Sequence, residues 1–462
     1  MAKRYLIETF GCQMNVHDSE RMAGLLEHAG YVPATEDAGP DVVVVHTCSV
    51  RERAEDKLYA RLAELSAAQD DGRSKPVVAV TGCVAQQEGE SLAKRHPGVD
   101  IVVGTQALKR LPDLLADVEQ GVGSSQAVDI NPYEDVSFPL GVVRRSDPVK
   151  AYVTVIEGCN DYCSYCVVPY TRGHERMRPL ADIVAEVSHA VQGGRREVHL
   201  LGQIVNHYVA PDRPGTDFAG LLEAVHEVPG VERIRFASPH PRHVTPRMIE
   251  AMRVLPRVCR HLHLPLQSGS NRVLARMRRR HTREQYLDLV DALRAAMPSI
   301  ALSTDMIVGF PGESAEDFED SLSLVRRVHY TSMFSFKYSP RPHTLAAKRL
   351  PDDVPEPEKT RRIIVLQDTQ KDIQLTLHQA VIGSTVSVLA DSVSRRRADE
   401  LAGRTGSNVV VNFPGPPDWI GRFIDVRVER AGPNSLSGRP VSVEGVPLRT
   451  GDTRLHSGAA GR

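Results

Sequence analysis

The stretch AYVTVIEGCNDYCSYC, residues 151–166, joins an apolar strand pattern to three closely spaced cysteines. Cys159, Cys163 and Cys166 follow the strand with the spacing C-x3-C-x2-C. Three thiolates this close can bind three irons of a 4Fe–4S cube and leave the fourth iron without a protein ligand. Structural zinc is the alternative, but zinc prefers four ligands and usually two C-x2-C pairs, which are not evident here. We therefore predict a cluster whose open iron can chelate the amino and carboxylate groups of a small cofactor.

A series of strand and helix patterns continues from this stretch toward the C-terminus. The candidate strands span 151–157, 197–202, 233–238, 261–266, 301–310 and 332–339. Helical patterns such as 180–194 and 283–297 fall between them. The alternation predicts an α/β domain, a partial (βα)6 barrel whose chemistry lies on the loops after the strands.

Three more cysteines lie far apart in the N-terminal part of the chain. Cys12, Cys48 and Cys83 each end or directly follow one of three apolar strand patterns, and each strand is followed by a helical pattern. Parallel strands place their carboxyl ends on one edge of a sheet, so the three thiols can converge there. The alternative is three unrelated buried cysteines, since free cysteine is often buried. We predict a parallel α/β domain that carries a second 4Fe–4S cluster, and we interpret Cys259 as a packing residue.

The last part of the chain alternates short β-rich runs with turn residues, which is typical of a small antiparallel β-barrel. Composition shifts and turn-rich stretches divide the chain as a whole. The predicted divisions are an N-terminal domain at 1–131, a linker at 132–149, the (βα)6 domain at 150–377, the small barrel at 378–446 and a disordered tail at 447–462.

Composition limits the class of protein. Hydrophobic residues make up 41% and charged residues 25% of the chain, as in a soluble globular protein. No apolar run is long enough to span a bilayer, and the first residues lack the apolar core of a signal peptide. Seven cysteines, an odd number, then indicate reduced thiols in the cytoplasm. The net charge of −1 means that any contact with nucleic acid depends on local basic patches.

With both cysteine sets placed, the chain resembles the methylthiotransferases of the radical S-adenosylmethionine (SAM) superfamily along nearly its whole length. The motifs that carry the resemblance are GCQMN, TCSVRERAEDKLY, TGCVAQ, EGCNDYCSYCVVPYTRG, LPLQSGS, DMIVGFPGE, FKYSPRPHTLAA and RTGSNVVVNF. The last belongs to a segment that resembles a TRAM domain, a small RNA-binding β-barrel. The branch that modifies tRNA is the most similar.

The resemblance implies a reaction and its cofactors. One SAM would methylate a sulfur on the cluster of Cys12, Cys48 and Cys83. A second SAM, on the cluster of the other three cysteines, would give the radical that removes hydrogen from C2 of an adenine, and the methylthio group would move to that carbon. The implied substrate is N6-(dimethylallyl)adenosine at position 37 of tRNA, in the anticodon loop. The implied partners are tRNA, an electron donor such as flavodoxin or ferredoxin, and iron–sulfur assembly proteins, with no membrane.

Several polar residues at strand ends are candidate contacts for SAM or the substrate, and each has a structural alternative: turn chemistry at a loop end for the Gln, Asn and Ser residues, and a bond to a neighbouring barrel strand for Asp305. They are Arg172, Glu175, Gln203, Asn206, Gln267, Ser268 and Asp305. Arg172 and Glu175 could instead pair with each other. Relatives usually read GQNVN where this chain has GQIVN, so no polar contact is assigned to Ile204.

Two basic runs, at 276–281 and 394–400, have two interpretations. Such a run is usually a solvated helix face, but the second lies in the TRAM-like segment, where it favours contact with RNA phosphates.

Three rival functions remain. A related branch modifies threonylcarbamoyladenosine in tRNA, and another modifies an aspartate of a ribosomal protein. The latter typically reads GCPKN at the first cysteine, where this chain has GCQMN. A non-catalytic iron–sulfur RNA-binding protein is the third, but it would not need an open iron.

Overall fold

The structure is a computed structural model with three blocks of secondary structure along the chain. The residues that it describes are 2–35, 39–50, 52–69, 75–122, 126–133, 141–395 and 397–448.

The N-terminal block is a parallel six-stranded sheet with the order β2-β1-β3-β4-β5-β6. The strands are β1 (Arg4–Phe10), β2 (Val32–Pro33), β3 (Val42–Thr47), β4 (Val77–Gly82), β5 (Ile101–Val103) and β6 (Ala127–Asp129). Strand β3 is buried along its whole length and begins with four valines, because helices cover both faces of the sheet. Val42 and Val44 face one core, and Val43 and Val45 face the other.

The helices of this block connect the strands as in a doubly wound fold. They are α1 (Gln13–His28), α2 (Glu52–Gln69), α3 (Cys83–Glu88), α4 (Glu90–Arg95) and α5 (Leu111–Glu119). The predicted parallel α/β class is confirmed, but the prediction of three βα units missed β2, β5, β6 and α5. The helical pattern expected after the third strand is two helices, α3 and α4, because Gly89 between them has φ +50°.

The central block is an open barrel made of two three-stranded parallel sheets, β7-β10-β11 and β12-β13-β14. Its strands are β7 (Lys150–Thr154), β8 (Ile156–Glu157), β9 (Arg176–Met177), β10 (Glu197–Leu201), β11 (Arg233–Phe236), β12 (His261–His263), β13 (Ala301–Val308) and β14 (Ser332–Lys337). A parallel bridge between Ile234 and Val258 links the two sheets, and β8 pairs with β9 as a separate ribbon. The six parallel strands confirm the predicted partial (βα)6 barrel.

Helices cover the outside of this barrel and bury its apolar face. They are α6 (Val168–Thr171), α7 (Leu180–Gln192), α8 (Phe218–His226), α9 (Pro246–Val254), α10 (Asn271–Met277), α11 (Arg283–Ala296), α12 (Ala315–Val328), α13 (Leu345–Arg349) and α14 (Glu356–Gln379). Alternate residues of β13, such as Leu302 and Met306, enter the core beneath them, whereas Asp305 is on the other face. Within the described ranges, no helix is both long and apolar enough to cross a membrane.

The C-terminal block is a closed antiparallel barrel. Its strands are β15 (Thr385–Val393), β16 (Glu400–Thr405), β17 (Val410–Pro414), β18 (Phe423–Ala431), β19 (Leu436–Val443) and β20 (Val446–Pro447). A parallel pairing of β17 with β19 closes the five-stranded barrel, which confirms the predicted class. The tail predicted at 447–462 begins in β20, where Pro447 pairs with Ser442. Residues 449–462 lie outside the described residues.

The small barrel docks on the ends of the central strands where those strands begin. Lys150, the first residue of β7, binds Asp391 at 2.6 Å. Arg196, just before β10, donates to the Gly421 carbonyl at 2.8 Å, and Arg233, the first residue of β11, donates to the Arg404 carbonyl at 2.6 Å. The opposite, carboxyl ends of the strands therefore remain available for the cysteine sites.

Two candidate iron–sulfur sites at the strand ends

The loop 158–166, which we call the cluster loop, carries the first cysteine set. It begins at Gly158, directly after β8, with φ +77°. A Cβ at this position would overlap the His174 carbonyl oxygen, so both the backbone angle and the space require glycine. The loop therefore leaves the strand in a direction that another residue could not take.

Hydrogen bonds fix the cluster loop against the rest of the barrel. The Ser164 amide donates to the Met277 carbonyl at 3.0 Å, and its hydroxyl donates to the Arg276 carbonyl at 2.8 Å. The Cys159 amide donates to the Gly173 carbonyl at 3.1 Å. The three thiols thus project from a backbone that is held in place on both sides.

Burial makes two of the three cluster-loop thiols hard to deprotonate. None of the seven cysteines forms a disulfide. Burial raises the pKa of the Cys159 and Cys166 thiols to about 12. Cys163 differs, since its Sγ accepts a hydrogen bond from Arg279 Nη1 at 3.6 Å. Binding iron there would displace the protons of the buried thiols.

The second set, Cys12, Cys48 and Cys83, converges as predicted. The three cysteines follow β1, β3 and β4, which are adjacent in the sheet. The Cys48 side chain lies in hydrogen-bond contact with both Cys12 and Cys83. We call these three residues the auxiliary site; whether they hold iron stays a prediction.

The auxiliary thiols share protons and a nearby cation. Hydrogen bonding to Cys48, together with the charge of the Arg172 guanidinium, lowers the pKa of Cys12 to about 6 and that of Cys83 to about 5. The same hydrogen bonds raise the pKa of Cys48. Cys12 and Cys83 are thereby favoured as thiolates, which is the form of cysteine that binds metal.

Both cysteine sets supply the three thiols that an iron–sulfur cube with one open iron requires. Among the described residues, no group of three His, Cys, Asp or Glu side chains is arranged to hold one metal ion. The cysteines of a cube bind separate irons, so they need not surround a common point. Three free thiols per site, at two separate strand-end loops, meet the requirement for two such cubes.

Asn15 positions the first auxiliary thiol, a role that sequence analysis missed. Its Oδ1 accepts hydrogen bonds from the Cys12 amide and from Cys12 Sγ, both at 3.3 Å. Its Nδ2 lies 3.1 Å from His46 Nε2, and His46 Nδ1 lies 2.7 Å from the Thr81 hydroxyl. The position of Asn15 three residues after Cys12, in the first turn of α1, was the available signal.

Arg172 and Glu175 do not pair with each other, which corrects one of the two interpretations given above. Arg172 is buried and its Nη2 donates to Asp18 Oδ2 at 2.7 Å, beside the auxiliary site. Glu175 instead binds His207 Nδ1 at 2.9 Å, near the cluster loop. The two residues therefore serve different sites.

Gln203 and Asn206 occupy the loop after β10 but have different partners. Gln203 Nε2 lies 2.7 Å from the sulfur of Met14, two residues after Cys12, and so links the central barrel to the auxiliary site. Asn206 uses both ends of its amide on the backbone of His240, at 2.8 and 3.0 Å. Asn206 therefore holds two loops together.

Gln267, Ser268 and Asp305 lie together after β12 and on β13. Gln267 has φ +78°, and its amide donates to the Asp305 carbonyl at 2.9 Å. The Ser268 hydroxyl is buried and accepts from the Ser270 amide at 3.3 Å. Asp305 Oδ1 lies 3.3 Å from His263 Nε2, and its carboxylate remains partly exposed.

The basic run 276–281 is not a solvated helix face. Helix α10 ends at Met277, and the next residues turn back along the cluster loop. Arg279 is buried, and its Nη2 donates to the Pro265 carbonyl at 2.8 Å while Nη1 contacts Cys163. In the second run, Arg397 pairs with Asp399 at 2.9 Å, which neutralises part of its charge.

Family models match three parts of the chain. Residues 4–104 match the uncharacterized protein family UPF0004, residues 153–325 match the radical SAM superfamily, and residues 379–441 match the TRAM domain.

Similar proteins match almost the whole chain. Proteins named tRNA-2-methylthio-N(6)-dimethylallyladenosine synthase are 46% identical in Geobacter metallireducens, covering 94% of this chain and 98% of the relative. Those of Neisseria gonorrhoeae and Chromobacterium violaceum are 44% and 45% identical, covering 95% and 96% of this chain and 99% of each relative.

Solved structures of lower sequence identity share the fold. A radical S-adenosylmethionine methyltransferase from Kitasatospora setae, solved with cobalamin and a 4Fe–4S cluster bound, has a TM-score of 0.57 at 15% identity, covering 75% of this chain and 74% of that one. A cobalamin-dependent S-adenosylmethionine radical enzyme has a TM-score of 0.53 at 14% identity, covering 81% of this chain and 56% of that one.

Proposed function

This chain belongs to the family of tRNA-2-methylthio-N(6)-dimethylallyladenosine synthases, and from that membership we propose that it adds a methylthio group to C2 of N6-(dimethylallyl)adenosine at position 37 of tRNA. The observation that carries the proposal is the presence of two separate cysteine sets at the carboxyl ends of two parallel sheets. An aromatic C–H bond resists polar nucleophiles, so a radical-generating site and a separate sulfur-holding site are both needed.

Cys159, Cys163 and Cys166 would hold one 4Fe–4S cluster, and the auxiliary site would hold another. When bound, these groups would supply the reductive cleavage of SAM at the first site and the sulfur to be methylated at the second. Cys159, the buried cysteine of the cluster loop, would hold its iron away from bulk water. Arg279, 3.6 Å from Cys163 Sγ, would offset the negative charge of thiolate ligation there. Arg172 and Asn15 would do the corresponding work at the auxiliary site.

Some of the candidate polar residues would contact SAM or the substrate, and the others would hold the loops around them. Asp305 is partly exposed on the strand face opposite the core, and Glu175 borders the cluster loop, so we assign both as contacts for SAM or the substrate. Gln203 reaches from the barrel to Met14 and would border the space between the clusters. Asn206, Gln267 and Ser268 are engaged with backbone and would shape that space.

The TRAM-like barrel favours an RNA substrate over a ribosomal protein. The sequence GCQMN at the first auxiliary cysteine agrees with that choice. We propose that the enzyme acts in the cytoplasm, receives electrons from flavodoxin or ferredoxin, and obtains its clusters from iron–sulfur assembly proteins.

Nucleoside mass spectrometry of tRNA tests the proposed substrate. A strain that lacks this gene should accumulate N6-(dimethylallyl)adenosine and lose its 2-methylthio derivative. The wild-type gene should restore the derivative, whereas Cys12→Ala and Cys163→Ala variants expressed at equal levels should not. Loss of 2-methylthio-threonylcarbamoyladenosine in its place would assign the enzyme to the rival tRNA branch. An unchanged nucleoside profile would overturn the proposal.

A further inference from the structure

The small barrel docks at the end of the central barrel opposite the cluster loop. It binds the beginnings of the central strands through Lys150, Arg196 and Arg233. The cysteines lie beyond the other ends of those strands. Strand β7 alone separates the two ends by about 13 Å, since each residue of a strand rises about 3.3 Å. A nucleotide at the clusters therefore needs contacts that the small barrel cannot provide.

The basic run 276–281 lies directly against the cluster loop. The carbonyls of Arg276 and Met277 accept both hydrogen bonds of Ser164, which stands between two of the cluster cysteines. Arg279 then turns inward to Cys163. Arg278 and Arg280, on either side of Arg279, are both exposed. We call the edge of the barrel beside the cluster loop the rim.

Three guanidinium groups at this rim are largely unpaired. Arg280 has only a distant ion pair, 4.0 Å from Asp161 Oδ1, and 51% of its side chain is exposed. The guanidinium groups of Arg242 and Arg278 make no hydrogen bond or ion pair with any residue in the described ranges. Arg242 follows β11, close to His243, whose pKa is lowered chiefly by burial and also by the charges of Arg242 and Arg280. Both arginines therefore border the same histidine.

Arg278 and Arg280 have a backbone conformation that other residue types adopt more readily. Arg278 and Arg280 have φ +58° and φ +56°, in the left-handed region that glycine and asparagine adopt most readily. Arginine at both positions is not explained by packing, because both side chains are exposed.

Exposed rings accompany these charges. Tyr162 of the cluster loop is 39% exposed. The rings of His207 and His243 lie 4.2 Å apart, and the His207 side chain is 44% exposed. Cationic groups that alternate with flat rings are the usual features of surfaces that bind single-stranded nucleic acid, where phosphates pair with cations and bases stack.

We propose that Arg242, Arg278, Arg280 and Tyr162 form a second RNA-binding surface at the barrel mouth, which binds the phosphates and unstacked bases of the anticodon loop next to the target adenosine. This inference rests on the proposed function. We call these four residues the mouth surface. An acidic electron-transfer protein is the other partner that such charge would attract, but it would not require the exposed rings.

Salt-dependent binding of an anticodon stem–loop RNA tests the proposal. Fluorescence anisotropy would be measured with the cluster-loaded enzyme at several salt concentrations, for wild type and for Arg278→Gln/Arg280→Gln. The variant should bind roughly tenfold more weakly, and its log–log salt slope should fall by about one to two units, because each lost phosphate contact removes about one. Arg326→Gln/Arg327→Gln is the matched control, since those arginines are equally exposed on α12 but pair with Glu319 and Asp291. The control should bind like wild type.

A second variant, Arg278→Gly/Arg280→Gly, removes the same charges and relieves the backbone, so it keeps the test valid if the first variant misfolds. Iron content and circular dichroism would establish that each variant is folded and loaded. Equal affinity and equal salt slope for the mouth variants and wild type would overturn the proposal. Intact RNA binding with slower reduction by flavodoxin would also overturn it and assign the surface to an electron donor. A failed nucleoside assay would instead contradict the substrate, whatever the RNA affinity.

Discussion

At the residue scale, single side chains from one block complete sites in another. Arg172 belongs to the central block, yet its guanidinium binds Asp18 of α1 and lies beside the auxiliary thiols. Gln203 reaches Met14 in the same way. A sequence pattern places a residue near its own strand end, but it does not show that a side chain crosses to another domain.

His17 is a buried histidine of α1, and its protonation should weaken the contact between α1 and the central block. Its Nε2 donates to Glu186 at 3.2 Å and its Nδ1 accepts from the Thr154 hydroxyl at 2.8 Å. Burial lowers the pKa of His17 to about 4, from an ordinary value of 6.5. Between those pH values the unfolded chain binds a proton that the folded chain does not, so stability falls as the pH falls.

We therefore expect wild type to lose stability relative to His17→Gln on acidification. At pH 5 the difference should have decreased by about 2 kcal/mol from its value at pH 7.5, because each pKa unit corresponds to about 1.4 kcal/mol. Chemical unfolding of both proteins across this pH range is the measurement. Parallel pH profiles would show that His17 does not titrate in this way.

At the element scale, strand ends determine where the chemistry lies. Cys12, Cys48 and Cys83 could be predicted to converge because each follows a long apolar strand, and parallel strands end on one edge. Strands β2, β5 and β6 could not be predicted in this way, since two or three residues are too few to show a period. Arg279 was missed because a run of cations suggests exposure, whereas its contacts with the Pro265 carbonyl and Cys163, both distant in sequence, hold it in the interior.

The cluster loop depends on a glycine that no other residue can replace. Gly158→Ala should prevent the loop from forming, because its Cβ would meet the His174 carbonyl and its φ is +77°. We expect this variant to lose one cluster, about four irons per chain, and to lose SAM cleavage.

Gly194→Ala is the matched control, since Gly194 also has positive φ, +90°, but has no atom within 4 Å of an added Cβ. It should keep its full iron content. Iron and sulfide analysis with electron paramagnetic resonance would measure both variants. Full iron content in Gly158→Ala would contradict the role assigned to the loop.

At the scale of the whole molecule, the two cysteine sets should behave as independent sites. The reconstituted enzyme should contain about eight irons and eight sulfides per chain. The triple variant Cys12→Ala/Cys48→Ala/Cys83→Ala should retain about four irons and still cleave SAM, but form no methylthio product. The triple variant of Cys159, Cys163 and Cys166 should also retain about four irons, without SAM cleavage.

These iron analyses test the two-cluster assignment as a whole. About four irons per chain in the wild-type enzyme would contradict this assignment.

The sequence predicted the three-block architecture because each block has its own pattern of strands and turns. It could not predict that the small barrel docks opposite the clusters, because that depends on arginine contacts such as Arg233 with the Arg404 carbonyl.

The salt bridge between Arg172 and Asp18 has a consequence for the order of events during translation. Arg172 leaves the ribosome 89 residues after Cys83, so roughly five to twenty seconds pass between them at ordinary elongation rates. During that interval the N-terminal sheet can fold and bring Cys12, Cys48 and Cys83 together before Arg172 has been synthesised. Thiols gathered without metal are open to oxidation into disulfides. The auxiliary thiols of a growing chain are therefore without the Arg172 guanidinium until the cluster loop has also been synthesised.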